Sequence, residues 1–193
     1  MVSLSKNQTI SLSKGASALS QLQFGLGWDP VRKKGLFGFL LGGNNSIDLD
    51  ASCVLIDKVG KKIDTIWFRK LKSTCGAVVH GGDNLTGEGD GDDEIIKVNL
   101  SKLPANIEYL VFTVNSFRGQ TFNDVENAFC RVLDHTGKEL ARYKLTEQGL
   151  HTGIVISSLR RNNGHWDFTA HGHACRGRTI DDMYSDIVSI VIR

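Results

Sequence analysis

The chain has 193 residues, with 23 Lys and Arg against 21 Asp and Glu, for a formal net charge of +2. Its 40 % hydrophobic and 23 % charged residues supply one sizeable core and exclude a disordered chain. No apolar run reaches transmembrane length, and no basic stripe with stacking aromatics marks a nucleic-acid surface, so no nucleic-acid partner is expected.

Met1 to Lys14 is polar and lacks the apolar centre of an export signal, which predicts a cytoplasmic protein. Within it, Val2-Ser-Leu-Ser-Lys6 nearly repeats as Ile10-Ser-Leu-Ser-Lys14, two short strand-like pieces. The next segment, 17–28, alternates through Leu19, Leu22, Phe24 and Leu26. Further strands are predicted at 47–57, 62–68, 76–80, 94–100, 109–115, 127–134, 139–145, 152–160, 164–169 and 186–192. Turn signals at Lys58-Val-Gly60, His135-Thr-Gly-Lys138 and Asn162-Asn-Gly164 separate several of them. Single helical turns are expected at 101–106 and 181–184. The predicted fold is all-β, an antiparallel β-sandwich with one or two short helical turns, in one domain over 1–193.

The segment 31–46 interrupts this pattern: it is basic, then apolar and Gly-rich, then polar. It reads as an insertion whose Leu36, Phe37, Phe39 and Leu40 either tuck into the sandwich or form a tip for peripheral membrane or partner contact.

The most informative stretch is Asp83 to Glu94. It holds Asp83, Glu88, Asp90, Asp92, Asp93 and Glu94, with Asn84, and Gly87, Gly89 and Gly91 interspersed. Clustered carboxylates repel one another unless a cation lies among them. Oxygen-rich loops with permissive glycines suit calcium, which takes six to eight oxygen ligands at about 2.3–2.6 Å. An EF-hand does not fit, because Leu85, Gly87 and Glu88 stand where that loop needs two ligands and its Gly. Asp48 and Asp50 reinforce the loop: on a strand they share one face, with Cα atoms about 7 Å apart, while Leu49 and Ala51 face the other way. Asp29, just before Pro30, is a third candidate at a strand end; the alternative there is an ordinary turn starter.

The pattern His171, His173, Cys175 puts two imidazoles and a thiol on one strand face, part of a transition-metal set without a fourth ligand; a plain strand-to-loop surface is the expected reading. Cys53, Cys75, Cys130 and Cys175 lack paired spacing and are expected as free thiols. No nucleophile motif, phosphate loop or dinucleotide fingerprint is present. A non-enzyme is therefore expected, with a metal-dependent hydrolase on the same acidic cluster as the alternative. His80 is the nearest basic group, and is expected simply to end a strand.

Gly27-Trp-Asp29, Asp48-Leu-Asp-Ala-Ser52 and the acidic run 82–94 together resemble the hallmark motifs of the TerD family of tellurite-resistance and stress proteins. So do Phe122-Asn-Asp-Val-Glu-Asn-Ala, Glu139-Leu-Ala-Arg-Tyr143 and the opening Val2-Ser-Leu-Ser-Lys6, so the similarity covers nearly the whole chain. The resemblance implies a calcium-binding sandwich without catalytic activity, holding two neighbouring Ca2+ ions. On this chain the implied ligands are Asp48, Asp50, Asp83, Asp90, Asp92 and Glu94, with Asn84 and Asp93 beside them. Main-chain carbonyls of Leu85 and Gly89 complete the implied set. It also implies resistance to tellurite, phage and colicins, with a TerC-like membrane protein and a TerB-like soluble protein as partners at the inner face of the inner membrane.

Overall fold

Alternation of apolar and polar residues over short runs builds strands that must bury one face, and here two sheets bury theirs against each other. The computed structural model describes residues 1–12, 19–31, 47–82, 91–116 and 118–192. One sheet runs, in spatial order, β1 (Val2–Leu4), β10 (Glu139–Lys144), β9 (Val125–Asp134), β3 (Gln21–Pro30), β7 (Glu94–Asn99) and β6 (Val78–His80). We call it sheet A. Sheet B runs β2 (Thr9–Ser11), β12 (His165–Cys175), β11 (Gly153–Asn162), β8 (Tyr109–Asn115), β4 (Asp50–Ile56) and β5 (Lys62–Ile66). All pairings are antiparallel except β1 with β10. The opening near-repeat is thus divided, one copy joining each sheet, with Asn7 at φ 63° in the turn between them.

Between the sheets lie Leu22, Phe24, Leu26 and Trp28 from β3, Ile96 and Val98 from β7, and Leu110, Phe112 and Val114 from β8. Phe24 and Phe112 stack across the interface, with ring centroids 4.3 Å apart and planes 7° from parallel.

The C-terminal segment differs from the sequence expectation. The strand predicted at 186–192 and the single turn at 181–184 are one helix, α1 (Ile180–Val191). Its β-branched residues favour a strand, but Ile180, Met183, Ile187 and Val191 recur at helical spacing on one buried face. A capping box between Thr179 and Asp182 starts the helix. The stripe packs on the outer face of sheet B against Val54, Ile56, Tyr109, Val111 and Val155. Sheet B is therefore covered on both faces here, which is why β4 is buried throughout.

The turn expected at 101–106 is a short 3-10 helix at Leu100–Lys102, with the Asn99 side chain accepting from the Lys102 N–H. β12 also runs further than the predicted 164–169, reaching Cys175. A bulge lets it continue: Ala170 pairs with Ser157 but His173 pairs with Val155, and Gly172 takes φ +54°. The inserted segment falls, beyond Val31, outside the described residues.

The helix sets two graded expectations for urea denaturation. Thr179→Ala, which removes the cap, costs about 1 kcal/mol. Met183→Ala, which hollows the second core at a fully buried position, costs about 2–5 kcal/mol.

Candidate metal centre

Strand β4 extends past its neighbour β5, whose pairing begins only at Cys53 with Ile66. Ala51 is thereby left with an N–H and a C=O on the β5 side, buried and needing partners. Sheet A supplies both. The Glu94 carboxylate, from the start of β7, accepts the Ala51 N–H at 2.5 Å. His80, the last residue of β6, places Nε2 3.0 Å from the Ala51 carbonyl. The Gly82 N–H donates to Nδ1 at 3.1 Å, so the ring proton sits on Nε2 and the imidazole donates to Ala51. His80 Nε2 also lies 3.6 Å from Glu94 Oε2, both side chains fully buried. His80 does end a strand as expected, but its role as a bridge between sheets was not legible in the sequence.

This bridge sits where β4 begins and the acidic run enters β7. Asp48 and Asp50 are 6 % and 4 % exposed there, while Leu49 and Ala51 point into the core at 1 % and 0 %, the alternation expected. Asp48 is held from the β8–β9 connection: Arg118 Nε approaches Oδ2 at 2.9 Å, and Gln120 Oε1 accepts the Asp48 N–H at 3.1 Å. Asp50 pairs with Asn115 in the β4–β8 ladder. Glu94 is 2 % exposed.

The other described acids sit apart. Asp92 lies on the outer face of sheet A, gripped in two-pronged fashion by Arg131, with Nε to Oδ1 at 2.7 Å and Nη2 to Oδ2 at 3.1 Å. A Cβ on Gly25 would fall 2.3 Å from that carboxylate, so any side chain at this strand position would have to displace Asp92. Asp93 accepts the Trp28 N–H at 2.9 Å, and Asp29 accepts from Asn127 Nδ2 at 2.8 Å. Burial raises the Asp93 carboxyl above its ordinary range; the Trp28 hydrogen bond opposes the shift, and the nearby Asp29 and Asp92 charges add to it.

Asp83, Asn84, Leu85, Gly89 and Asp90 lie outside the described residues. Among the described residues no group of three Asp, Glu, His or Cys side chains is close enough to hold a metal. That includes His171, His173 and Cys175: His171 Nε2 pairs with the Ser158 hydroxyl at 2.8 Å, Cys175 is buried beside α1, and His173 is exposed. Cys53, Cys75, Cys130 and Cys175 are all free thiols, with only Cys75 exposed. Burial pushes Cys130 and Cys175 up to about 12, the opposite of a reactive thiolate.

A β-sandwich with buried carboxylates at the starts of β4 and β7 defines the class, and the comparisons define the family. Residues 1–186 match the TerD domain. The chain is 84 % identical over 193 residues to the tellurium resistance protein TerZ of Serratia marcescens, covering 100 % of both chains. It is 42 % identical over 197 residues to the stress response protein SCP2 of Bacillus subtilis, covering 97 % of this chain and 99 % of the relative. The chain belongs to the TerD family. A solved structure of a Streptomyces coelicolor homologue of telluride resistance protein TerD superposes with a TM-score of 0.66 at 21 % identity, over 83 % of this chain and 92 % of that one, and shares the fold. Among the described residues no helix is long and apolar enough to cross a membrane.

Two measurements test the site's physics. His80→Ala strips a donor from the Ala51 carbonyl and opens a void, at an expected cost of about 2–4 kcal/mol by urea denaturation; an unchanged midpoint would deny the bridge its role. Asp93, with its carboxyl raised, adds stability at pH below its unfolded value and loses it as pH rises through the folded value. In chelator at pH 7, Asp93→Asn is therefore expected to melt above the parent protein, and the gain to vanish below about pH 4.

Proposed function

We propose that this protein is a calcium-binding, non-catalytic module of a tellurium and general stress resistance system. The observation that carries the reading is the set of nearly buried carboxylates, Asp48, Asp50 and Glu94, at the sandwich end from which the acidic run 83–94 springs. The run 83–94 packs six acids into twelve residues, which repel one another unless a cation lies among them. The donor set is hard oxygen, with no thiolate, and the nearest imidazole already spends both nitrogens on backbone groups. That chemistry fits calcium, ahead of zinc or copper. Asp48, Asp50 and Glu94 would hold the ion or ions, with Asp83, Asn84, Asp90 and the carbonyls of Leu85 and Gly89 from the loop. Bound calcium would neutralise the loop and order it, presenting a surface for a partner. The family resemblance suggests two ions, and partners at the inner face of the inner membrane: a TerC-like membrane protein and a TerB-like soluble protein.

The non-catalytic half of the reading rests on His80. Where a histidine serves a hydrolase as general base, one ring nitrogen must be free to take a proton from water. In His80 the ring is fully buried, one nitrogen donates to Ala51 and the other accepts from Gly82.

Calorimetric titration of chelator-stripped protein tests the proposal. About two calcium ions per chain should bind, magnesium should bind far more weakly, and Asp48→Asn and Asp50→Asn should each lower the affinity. Calcium at about a hundred times its Kd should stabilise the fold by about 2.7 kcal/mol per independent site. Absence of heat together with an unchanged melting temperature would overturn the reading.

A further inference from the structure

A second feature of this end of the molecule is not explained by the calcium reading. On the outer face of sheet B, a cleft of about 250 Å³ lies between the start of α1 and the turn that follows β5. Trp67, Phe68 and Ile180 form its apolar walls; Asp50, Ser52 and Asn115 form its floor. The two aromatic rings meet edge to face, with centroids 4.9 Å apart.

The floor is acceptor-rich, and one acceptor is oriented by the fold. Asn115 is 4 % exposed, and its Nδ2 donates to the Arg178 carbonyl at 2.9 Å. That bond fixes the amide so that Oδ1 is the atom left over, and among the described residues this buried oxygen has no hydrogen-bond partner. One step along the same face of β8, the buried Thr113 hydroxyl is also without one. This amide oxygen lies beside the Asp50 carboxylate, so a donor that also carries positive charge would satisfy it in a favourable field.

The cationic side chains that border the cleft make contacts away from its floor. Lys62 is paired with Asp181 at the rim. The Arg178 guanidinium lies against Gly119, where an added Cβ would sit 2.9 Å from Nη2. The N-terminus of α1 closes on itself through the Thr179 and Asp182 capping box. Arg69 stands outside, over Trp67 and Phe68, at 5.7 and 5.3 Å from their centroids. A bare metal ion would leave most of the volume and both aromatic walls unused.

We propose that this cleft binds a primary alkylammonium group, either a free amine or the lysine side chain of a partner protein. The ammonium carries three donors, matching the Asp50 carboxylate, Asn115 Oδ1 and the Ser52 hydroxyl. Its alkyl stem lies along Trp67 and Ile180, where the aromatic face also attracts the charge. The cleft draws on Asp50, which the calcium reading also uses.

The test follows the Asn115 side-chain amide and the Trp67 indole N–H by NMR in the full chain, titrated with cadaverine, with a peptide blocked at its N-terminus and carrying one unmodified lysine, and with calcium alone. Both signals are expected to shift saturably with cadaverine, and Trp67→Ala to weaken that binding about tenfold while leaving calcium heats unchanged. Tighter binding of the peptide would make the source a partner's lysine, and tighter cadaverine binding a free amine. If neither probe moves these signals, or pentanol moves them as well as cadaverine does, the proposal is overturned. It is also overturned if calcium alone saturates both signals and cadaverine has no effect in chelator. Loss of calcium binding with retained cadaverine binding would sink the metal reading and spare this one.

Discussion

Two side chains from one sheet satisfying the backbone of a single residue in the other is the contact on which the acidic end of this protein depends. A sandwich is closed by apolar packing along its length, but at its ends strands fall out of register and leave polar backbone groups buried. Ala51 is such a place, because β4 outruns β5. Its N–H and C=O go to Glu94 and His80, so the sheets are joined there by directional bonds as well as by packing. The consequence reaches the neighbours. Asp48 and Asp50 are positioned by the start of β4, and the loop's last acid is pinned by the same bond that fixes β4 against β7. The acidic run therefore enters β7 at a place where directional bonds tie the two sheets.

The outer face of sheet A solves a different problem. Gly25 and Gly27 lie in β3 where side chains would be expected, and the space they vacate is filled by the Asp92 carboxylate and the Phe129 ring. Arg131 neutralises Asp92, Arg142 stands 4.4 Å from the Phe129 centroid, and Glu139 joins the two arginines. Asp92 thus has a paired, part-buried position of its own. Its service as a calcium ligand would require exchanging the Arg131 pair for the ion, a cost Asp48 does not share to the same degree, because its arginine, Arg118, is half exposed.

What the sequence made legible follows from periodicity. The two-residue repeat in 22–28 and 109–115 and the Asn163-Gly164 turn, both residues with positive φ, placed strands and hairpins closely. The composition of 83–94 pointed at cation chemistry, and the assembled motifs identified the family. The C-terminal helix differs from the expected strand because Ile187, Val188, Ile190, Val191 and Ile192 carry strand propensity, and the capping box that outweighs them is a short-range signal that begins eight residues before Ile187. His80 and Asn115 were invisible for another reason. A buried histidine and a buried asparagine acquire meaning only from what they face, and what they face is a residue 29 positions away in one case and a helix start 63 positions away in the other.

The two proposed sites are not independent, since both draw on Asp50, and this fixes the sign of their coupling. A cation bound on one side of a carboxylate reduces the field available to a second cation on the other, so calcium and an alkylammonium group would each weaken the other's affinity by the same factor. If the ammonium belongs to a partner, loading the acidic loop with calcium would release that partner from the outer face of sheet B. The same event would order the loop as a surface for a different one. Such an exchange requires no large movement of the sandwich, whose two cores hold sheet B from both faces. It requires only that Asp50, the opening residue of β4, serve both the proposed ion site and the proposed cleft.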